Sequence, residues 1–157
     1  MVNLYLKQRW FSWGDNFEVY DERGSVRYIV ESEIFTFGRK LHVYDANMNE
    51  MAFIRQEVLT FMRPRYYIEI GGREVAEIIK EITFFSHEYT VEGPGWSVTG
   101  DFFDHDYTVS KNGSTIASVA KEWFTLGDAY EISIENDVDE LLALTVVLVI
   151  DCCLEKN

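Results

Sequence analysis

Hydrophobic and polar positions alternate along this chain in short runs, and one alternating phrase returns six times. Its occurrences are Phe17-Glu18-Val19, Leu41-His42-Val43, Tyr66-Tyr67-Ile68, Tyr89-Thr90-Val91, Tyr107-Thr108-Val109 and Tyr130-Glu131-Ile132, with starts 24, 25, 23, 18 and 23 residues apart. Period two marks a strand with one buried face, and the recurrence means one supersecondary unit used repeatedly. A turn follows the opening strand at a similar offset: Asp21-Glu22-Arg23-Gly24, Asp45-Ala46-Asn47-Met48-Asn49, Gly71-Gly72, Gly93-Pro94-Gly95 and Lys111-Asn112-Gly113. Gly, Asn and Asp tolerate the left-handed conformations that tight hairpins need. A second, longer strand then runs from Val26 to Ile34, Met51 to Val58, Glu74 to Ile82, Ser97 to Phe102 and Thr115 to Trp123.

Each second strand ends on bulky residues: Phe35-Thr36-Phe37, Leu59-Thr60-Phe61, Phe84-Phe85, Phe102-Phe103 and Trp123-Phe124. The N-terminal run ends the same way, at Trp10-Phe11-Ser12-Trp13-Gly14, and reads as the second strand of a unit whose first strand lies elsewhere. With five hairpins and a last strand from Tyr130 to Ile134, the pattern predicts twelve strands. Short strands at even spacing argue for an antiparallel sheet that removes its edges by closing into a barrel.

The segment after Ile134 breaks the alternation. Leu141 to Ile150 is apolar at every position except Thr145, which predicts a helix from Val138 to Leu154 with Asp137 as its cap and Glu140 completing a capping box. A helix apolar on every side is either a core element or a membrane span. Its uninterrupted apolar part covers only about 15 Å, against a bilayer core of about 30 Å, so the core placement is favoured. Twelve strands enclose a lumen too wide for side chains alone, and a helix about 10 Å across is the natural plug.

Composition narrows the class. The 157 residues fit one domain, residues 1–157, and the 47% apolar and 15% aromatic content argues against disorder. A formal net charge of −13 disfavours nucleic acid and generic adhesion to anionic membranes. The N-terminus alternates like a strand and lacks a signal-peptide layout, and Cys152 and Cys153 form neither a disulfide framework nor a metal-ligand spacing. A cytoplasmic location is expected.

Several runs then resemble a known group. Tyr5-x-Lys7-Gln8-x-x-Phe11-Ser12-x-Gly14-Asp15, Tyr28-x-Val30-Glu31, Lys40-Leu41-x-x-Tyr44-Asp45, Gly100-Asp101-Phe102-x-Asp104-His105-Asp106-Tyr107 and Asp139-Glu140-Leu141-Leu142-Ala143-Leu144 resemble the LURP-one-related proteins over nearly the whole chain. That family is similar in fold to the Tubby C-terminal domain and to phospholipid scramblases. The resemblance implies a twelve-stranded closed barrel around a central hydrophobic C-terminal helix. It implies little about function, because bacterial members are largely uncharacterised. Tubby domains bind phosphoinositide headgroups through basic surface residues, but no residue-level motif here carries that over. Scramblases are associated with calcium and a lipidated Cys-rich segment, and this chain has no such segment; fold analogy alone is a weak guide to function.

Three polar constellations remain. Asp101, Asp104, His105 and Asp106 have the donor types for a metal ion, against the alternative of a polar turn whose side chains cap its own amides. Asp45-x-Asn47-x-Asn49-Glu50 fails the calcium-loop pattern at its sixth position, Glu50, and at its twelfth, Gln56, and reads as a hairpin turn. Two consecutive inter-unit connections are basic and bring Arg39, Lys40, Arg63 and Arg65 to one rim, where guanidinium forks suit an anionic headgroup or an acidic peptide. The alternative is a sector that merely balances acidic neighbours.

His42, in the second position of its repeat, should face solvent, and the recurring aromatics should pack at the barrel ends. No nucleophile elbow or phosphate-cradling loop supports catalysis, and no cofactor is implied. The sequence therefore predicts a non-enzymatic intracellular binding or scaffold module for an anionic ligand such as a lipid headgroup. A protein-interaction module using the acidic surface is the alternative, followed by a metal-dependent enzyme centred on the Asp/His cluster. The oligomeric state is not encoded in any pattern found.

Overall fold

The computed structural model describes residues 1–7, 16–33, 37–58, 63–82, 87–102, 104–122 and 129–154. Twelve strands precede one helix: β1 (Val2–Lys7), β2 (Phe17–Tyr20), β3 (Val26–Ser32), β4 (Lys40–Asp45), β5 (Glu50–Gln56), β6 (Arg65–Ile70), β7 (Arg73–Ile82), β8 (His87–Glu92), β9 (Trp96–Asp101), β10 (Asp106–Lys111), β11 (Ser114–Glu122), β12 (Ala129–Ile134) and α1 (Glu140–Leu154). The strands form one closed barrel in which sequence neighbours pair antiparallel, and β1 closes the circle between β2 and β12. The twelve-stranded barrel with a C-terminal helix is thus borne out.

The six-fold phrase sets the interior. Its first positions, Phe17, Leu41, Tyr66, Tyr89, Tyr107 and Tyr130, are all buried, and so are its third positions, Val19, Val43, Ile68, Val91, Val109 and Ile132. Strand alternation turns both sets inward, and cross-strand register places Ile54, Ala76, Ile78, Val98 and Val119 beside them. Gly100, opposite Tyr107, adopts φ 144°, and a Cβ there would lie 2.5 Å from the Tyr107 Cα. Only glycine permits that approach of β9 to β10.

Helix α1 is buried without interruption from Leu142 to Cys152, as a plug in the bore requires. Burying each large aliphatic on it contributes about 1.5–3 kcal/mol. Its start differs from the sequence expectation. Asp139 is the cap, with Oδ1 accepting from the Leu142 N–H at 3.1 Å, so neither Asp137 nor a capping box begins the helix. The reason is tertiary. Glu140 is drawn to the barrel wall, where the Arg27 guanidinium donates to both its oxygens at 2.7 and 2.8 Å and the Tyr28 hydroxyl donates to Oε2.

These contacts orient the helix. Its N-terminus lies at the end of the barrel that carries the hairpin turns. Its C-terminus reaches the opposite, connection end, where Asp151 accepts a hydrogen bond from the Tyr130 hydroxyl. No helix among the described residues is long and apolar enough to cross a membrane.

Candidate functional site

Both basic connections open onto the connection end, and the backbone stitches them together. The Gln56 N–H donates to the Arg39 carbonyl, the Glu57 N–H to the Arg65 carbonyl and the Lys80 N–H to the Pro64 carbonyl. The strand ends of β4, β5, β6 and β7 therefore adjoin in that order. The side chains do not converge on one point. Leu41 and Tyr66 face inward, so their neighbours Lys40 and Arg65 face out. Arg65 Nε lies 3.0 Å from Glu77 and Arg63 3.3 Å from Glu81, both glutamates being on β7. Arg39 instead stands beside the Cys152 thiol at the end of α1, where its charge favours the thiolate.

Register reveals a cation that spacing missed. Lys40 stands directly opposite Arg55 across β4 and β5, the one cation–cation pair among the described strand registers. Like charges facing each other on a sheet are destabilising, so this pair costs stability unless an anion compensates it. Arg55 leans away, its guanidinium 4.2 Å from the Tyr67 ring and 3.5 Å from Glu74. A barrel-wide register was needed to find it, because nothing local to Arg55 marks it.

The same end exposes apolar surface. Phe37 is 88% exposed and Val58 51%, and Val58 lies beside Gly38, the residue between Phe37 and Arg39. Phe37 therefore does not pack at the barrel end as expected. Trp10, Trp13, Phe35, Phe61, Phe85, Phe103, Trp123 and Phe124, which carried the same expectation, lie outside the described residues.

The Asp/His cluster forms the tight β9–β10 connection. The Asp104 N–H donates to Asp101 Oδ1 at 3.3 Å, the His105 N–H donates to the Phe102 carbonyl, and Asp101 and Asp106 face each other in register. Asp101, Asp104 and Asp106 are exposed, whereas His105 turns aside and stacks on Tyr130, with ring centroids 5.1 Å apart. Burial holds its imidazole below the ordinary histidine range; Lys121 adds to this and Asp104 opposes it. Among the described residues, no three His, Cys, Asp or Glu side chains gather as a metal site. Asp45 likewise spends its carboxylate on its own turn, accepting from the Asn47 and Asn49 N–H groups at 2.9 Å.

Around the end of α1 lies a polar layer the sequence did not single out. Tyr66, Tyr89, Tyr107 and Tyr130 surround the segment Asp151-Cys152-Cys153. Burial pushes both thiols up to about 12, while Arg39 beside Cys152 and Lys80 beside Cys153 pull the other way. Neutral thiols of this kind are poor nucleophiles at pH 7. Burial likewise raises the Tyr66, Tyr89 and Tyr107 phenols, with Asp151 adding to the last two. Helix α1 has no basic residue in its last turn, so wall residues Arg39 and Lys80 supply the cations that suit its negative pole. Tyrosine opening four successive units was the sequence signal for this layer.

On the outer wall His42 faces out, as expected, but is not free. Its Nδ1 lies 2.5 Å from Glu50 and its Nε2 3.4 Å from Glu33, and its ring centroid is 4.9 Å from that of Phe53.

Comparisons with known proteins agree with this architecture. An uncharacterised protein of Bacillus subtilis (strain 168), YxjI, is 30% identical over all 157 residues and 96% of its own length. The crystal structure of a protein from Arabidopsis thaliana superposes with a TM-score of 0.72 over 98% of this chain and 91% of that one, at 12% identity, and so shows the shared fold alone. The LURP-one-related family matches residues 2–151, and the chain belongs to that family.

Proposed function

We propose that the protein is a non-catalytic binding module whose connection end takes an anionic phospholipid headgroup at the sector formed by Lys40, Arg55, Arg63 and Arg65, with Arg39 at its inner edge. The observation that carries this reading is the Lys40–Arg55 pair, two cations in direct register on a molecule of net charge −13, with Arg55 relieved only by a half-exposed Glu74 at 3.5 Å. Arg63 and Arg65 rest on β7 carboxylates at 40–58% side-chain exposure, where such pairs are worth at most about 1 kcal/mol, so a phosphate can displace them at small cost. Exposed Phe37 and Val58 beside these cations support a bilayer over a free anion, since apolar side chains enter the headgroup boundary while cations hold its charge. The free thiols of Cys152 and Cys153 support a reducing, cytoplasmic compartment.

Flotation with vesicles containing a phosphoinositide tests the reading. Binding is expected to anionic but not to purely zwitterionic vesicles, and to fall with rising salt. Lys40→Glu with Arg55→Glu, and separately Arg63→Glu with Arg65→Glu, should abolish it. Flotation unchanged in both double variants, or absent in the parent protein, overturns the proposal.

A further inference from the structure

The outer wall beside this sector changes character along the strands. Lys40, Arg55 and Arg65 stand toward the connection end, His42, Phe53 and Tyr67 come next, and Glu50 and Glu69 stand toward the hairpins. At the acidic end lies a groove of about 400 Å³ lined by His42, Glu50, Met51, Phe53, Glu69 and the Gly71-Gly72 turn, with Ala52 behind them.

Its chemistry is that of a receptor for a cation on an apolar stem. Met51, 37% exposed, and Phe53 supply an apolar floor; Glu50 and Glu69 supply carboxylates; and no Lys or Arg among the described residues lines the groove. Arg55, next along β5 from Ile54, is directed to Tyr67 and Glu74 instead. His42 bonds Glu50 from the β4 side and so fixes where that carboxylate points. Gly71 and Gly72 take φ 62° and 76°, and a Cβ on either would meet nothing within 4 Å, so this edge of the groove is bare backbone open to an incoming chain.

We propose that this groove seats the side chain of a lysine or arginine from a basic segment of a protein partner. The three methylenes of an arginine or the four of a lysine lie on apolar surface while the head stays polar, which matches the Met51–Phe53 floor between two carboxylates. The aromatic ring of Phe53 adds the face that cations prefer, and methionine adapts to flanking residues. The net charge of −13 draws a polycationic segment from a distance, and the groove gives it a register. This inference is independent of the lipid-binding reading, from which it differs in position and in ligand charge.

The test is fluorescence anisotropy of a labelled lysine-rich peptide with the full chain near physiological salt. A peptide with glutamine in place of each lysine, and unlabelled spermidine as competitor, are run beside it. Glu50→Gln with Glu69→Gln should weaken binding about tenfold, a loss of about 1.4 kcal/mol. Glu22→Gln with Glu92→Gln removes the same charge at exposed positions outside the groove and should leave affinity within about twofold. Circular dichroism melts confirm that both variants fold. Equal weakening by the two double variants would mean diffuse attraction, and equal binding of the glutamine peptide would mean no cation is read. Spermidine competing as well as the unlabelled lysine peptide would make a free amine the occupant. Each of these overturns the proposal.

Discussion

The two ends of the barrel are finished by different chemistry. At the hairpin end the polar groups are satisfied close to home. Asp21 Oδ1 accepts from the Arg23 and Ser25 N–H groups, and Asp45 Oδ1 from those of Asn47 and Asn49, all at 2.9 Å. Two long-range contacts add to these: Glu140 with Arg27 and Tyr28 ties the helix to β3, and the Met1 ammonium donates to Asn136 Oδ1. At the connection end the groups come from strands far apart in sequence: Arg39 from β4's approach, Lys80 from β7, Tyr89 from β8, Tyr107 from β10, Tyr130 from β12, all around Asp151, Cys152 and Cys153. That end also carries exposed Phe37, exposed Val58 and the opposed Lys40–Arg55 pair. The difference separates an end whose polar groups are mostly satisfied within single turns from an end whose polar groups are assembled across the barrel, with cations and apolar side chains exposed beside them.

Removing the plug should have the largest effect, because it empties both ends at once. Truncation after Asn136 is expected to give an insoluble or unfolded product, seen as loss of a cooperative melt; a soluble truncation with a sharp transition would show that the wall holds itself up. Glu140→Ala comes next. It strips Arg27 and Tyr28 of a shared partner that is only 17% exposed, and denaturant melts should show a loss of about 2–3 kcal/mol. A loss below about 0.5 kcal/mol would mean the clamp is ornamental.

At the other end two isosteric changes give a sharper contrast. Tyr130→Phe removes the hydroxyl that donates to buried Asp151 and should cost about 1–3 kcal/mol. The Tyr107 hydroxyl, on a residue only 1% exposed, has no hydrogen-bond partner among the described groups, so Tyr107→Phe should change stability by no more than about 0.5 kcal/mol. Equal losses from the two would refute the assigned hydrogen bonding.

Alkaline pH should also act at the connection end. Cys152 and Cys153 titrate near the ordinary thiol value of 9.0 when unfolded and are pushed up to about 12 by burial in the folded chain. Above pH 9 the unfolded state loses protons that the folded state keeps, so stability is full below about pH 9 and declines toward about pH 12. Melting temperature against pH for the parent and for Cys152→Ala with Cys153→Ala checks this; a parent curve no steeper than the variant's would exclude the thiols.

Much of the architecture was legible because it is written with period two. The positions that turn inward are the first and third of each repeated phrase, and the strands begin and end within about two residues of where turn chemistry places them. The exceptions are instructive. Asp137 and Glu140 have capping-box spacing, yet Asp139 caps the helix because Arg27 and Tyr28 hold Glu140 elsewhere. Phe37 shares its pattern with residues expected to pack, but is exposed. The basic sector was visible as two runs of charge. Its division into Arg39 at the helix end, Lys40 facing Arg55, and Arg63 and Arg65 resting on β7 was not.

What the chain determined alone is therefore the set of strands, their inward faces and the apolar helix, because alternation and turn preference act over a few residues. What only the tertiary structure decided is which charges meet. Arg55 opposes Lys40 across β4–β5, and Glu140 finds Arg27 across 113 residues. Such encounters depend on register and on the closure of the barrel, and electrostatic attraction has no period that a linear pattern can display.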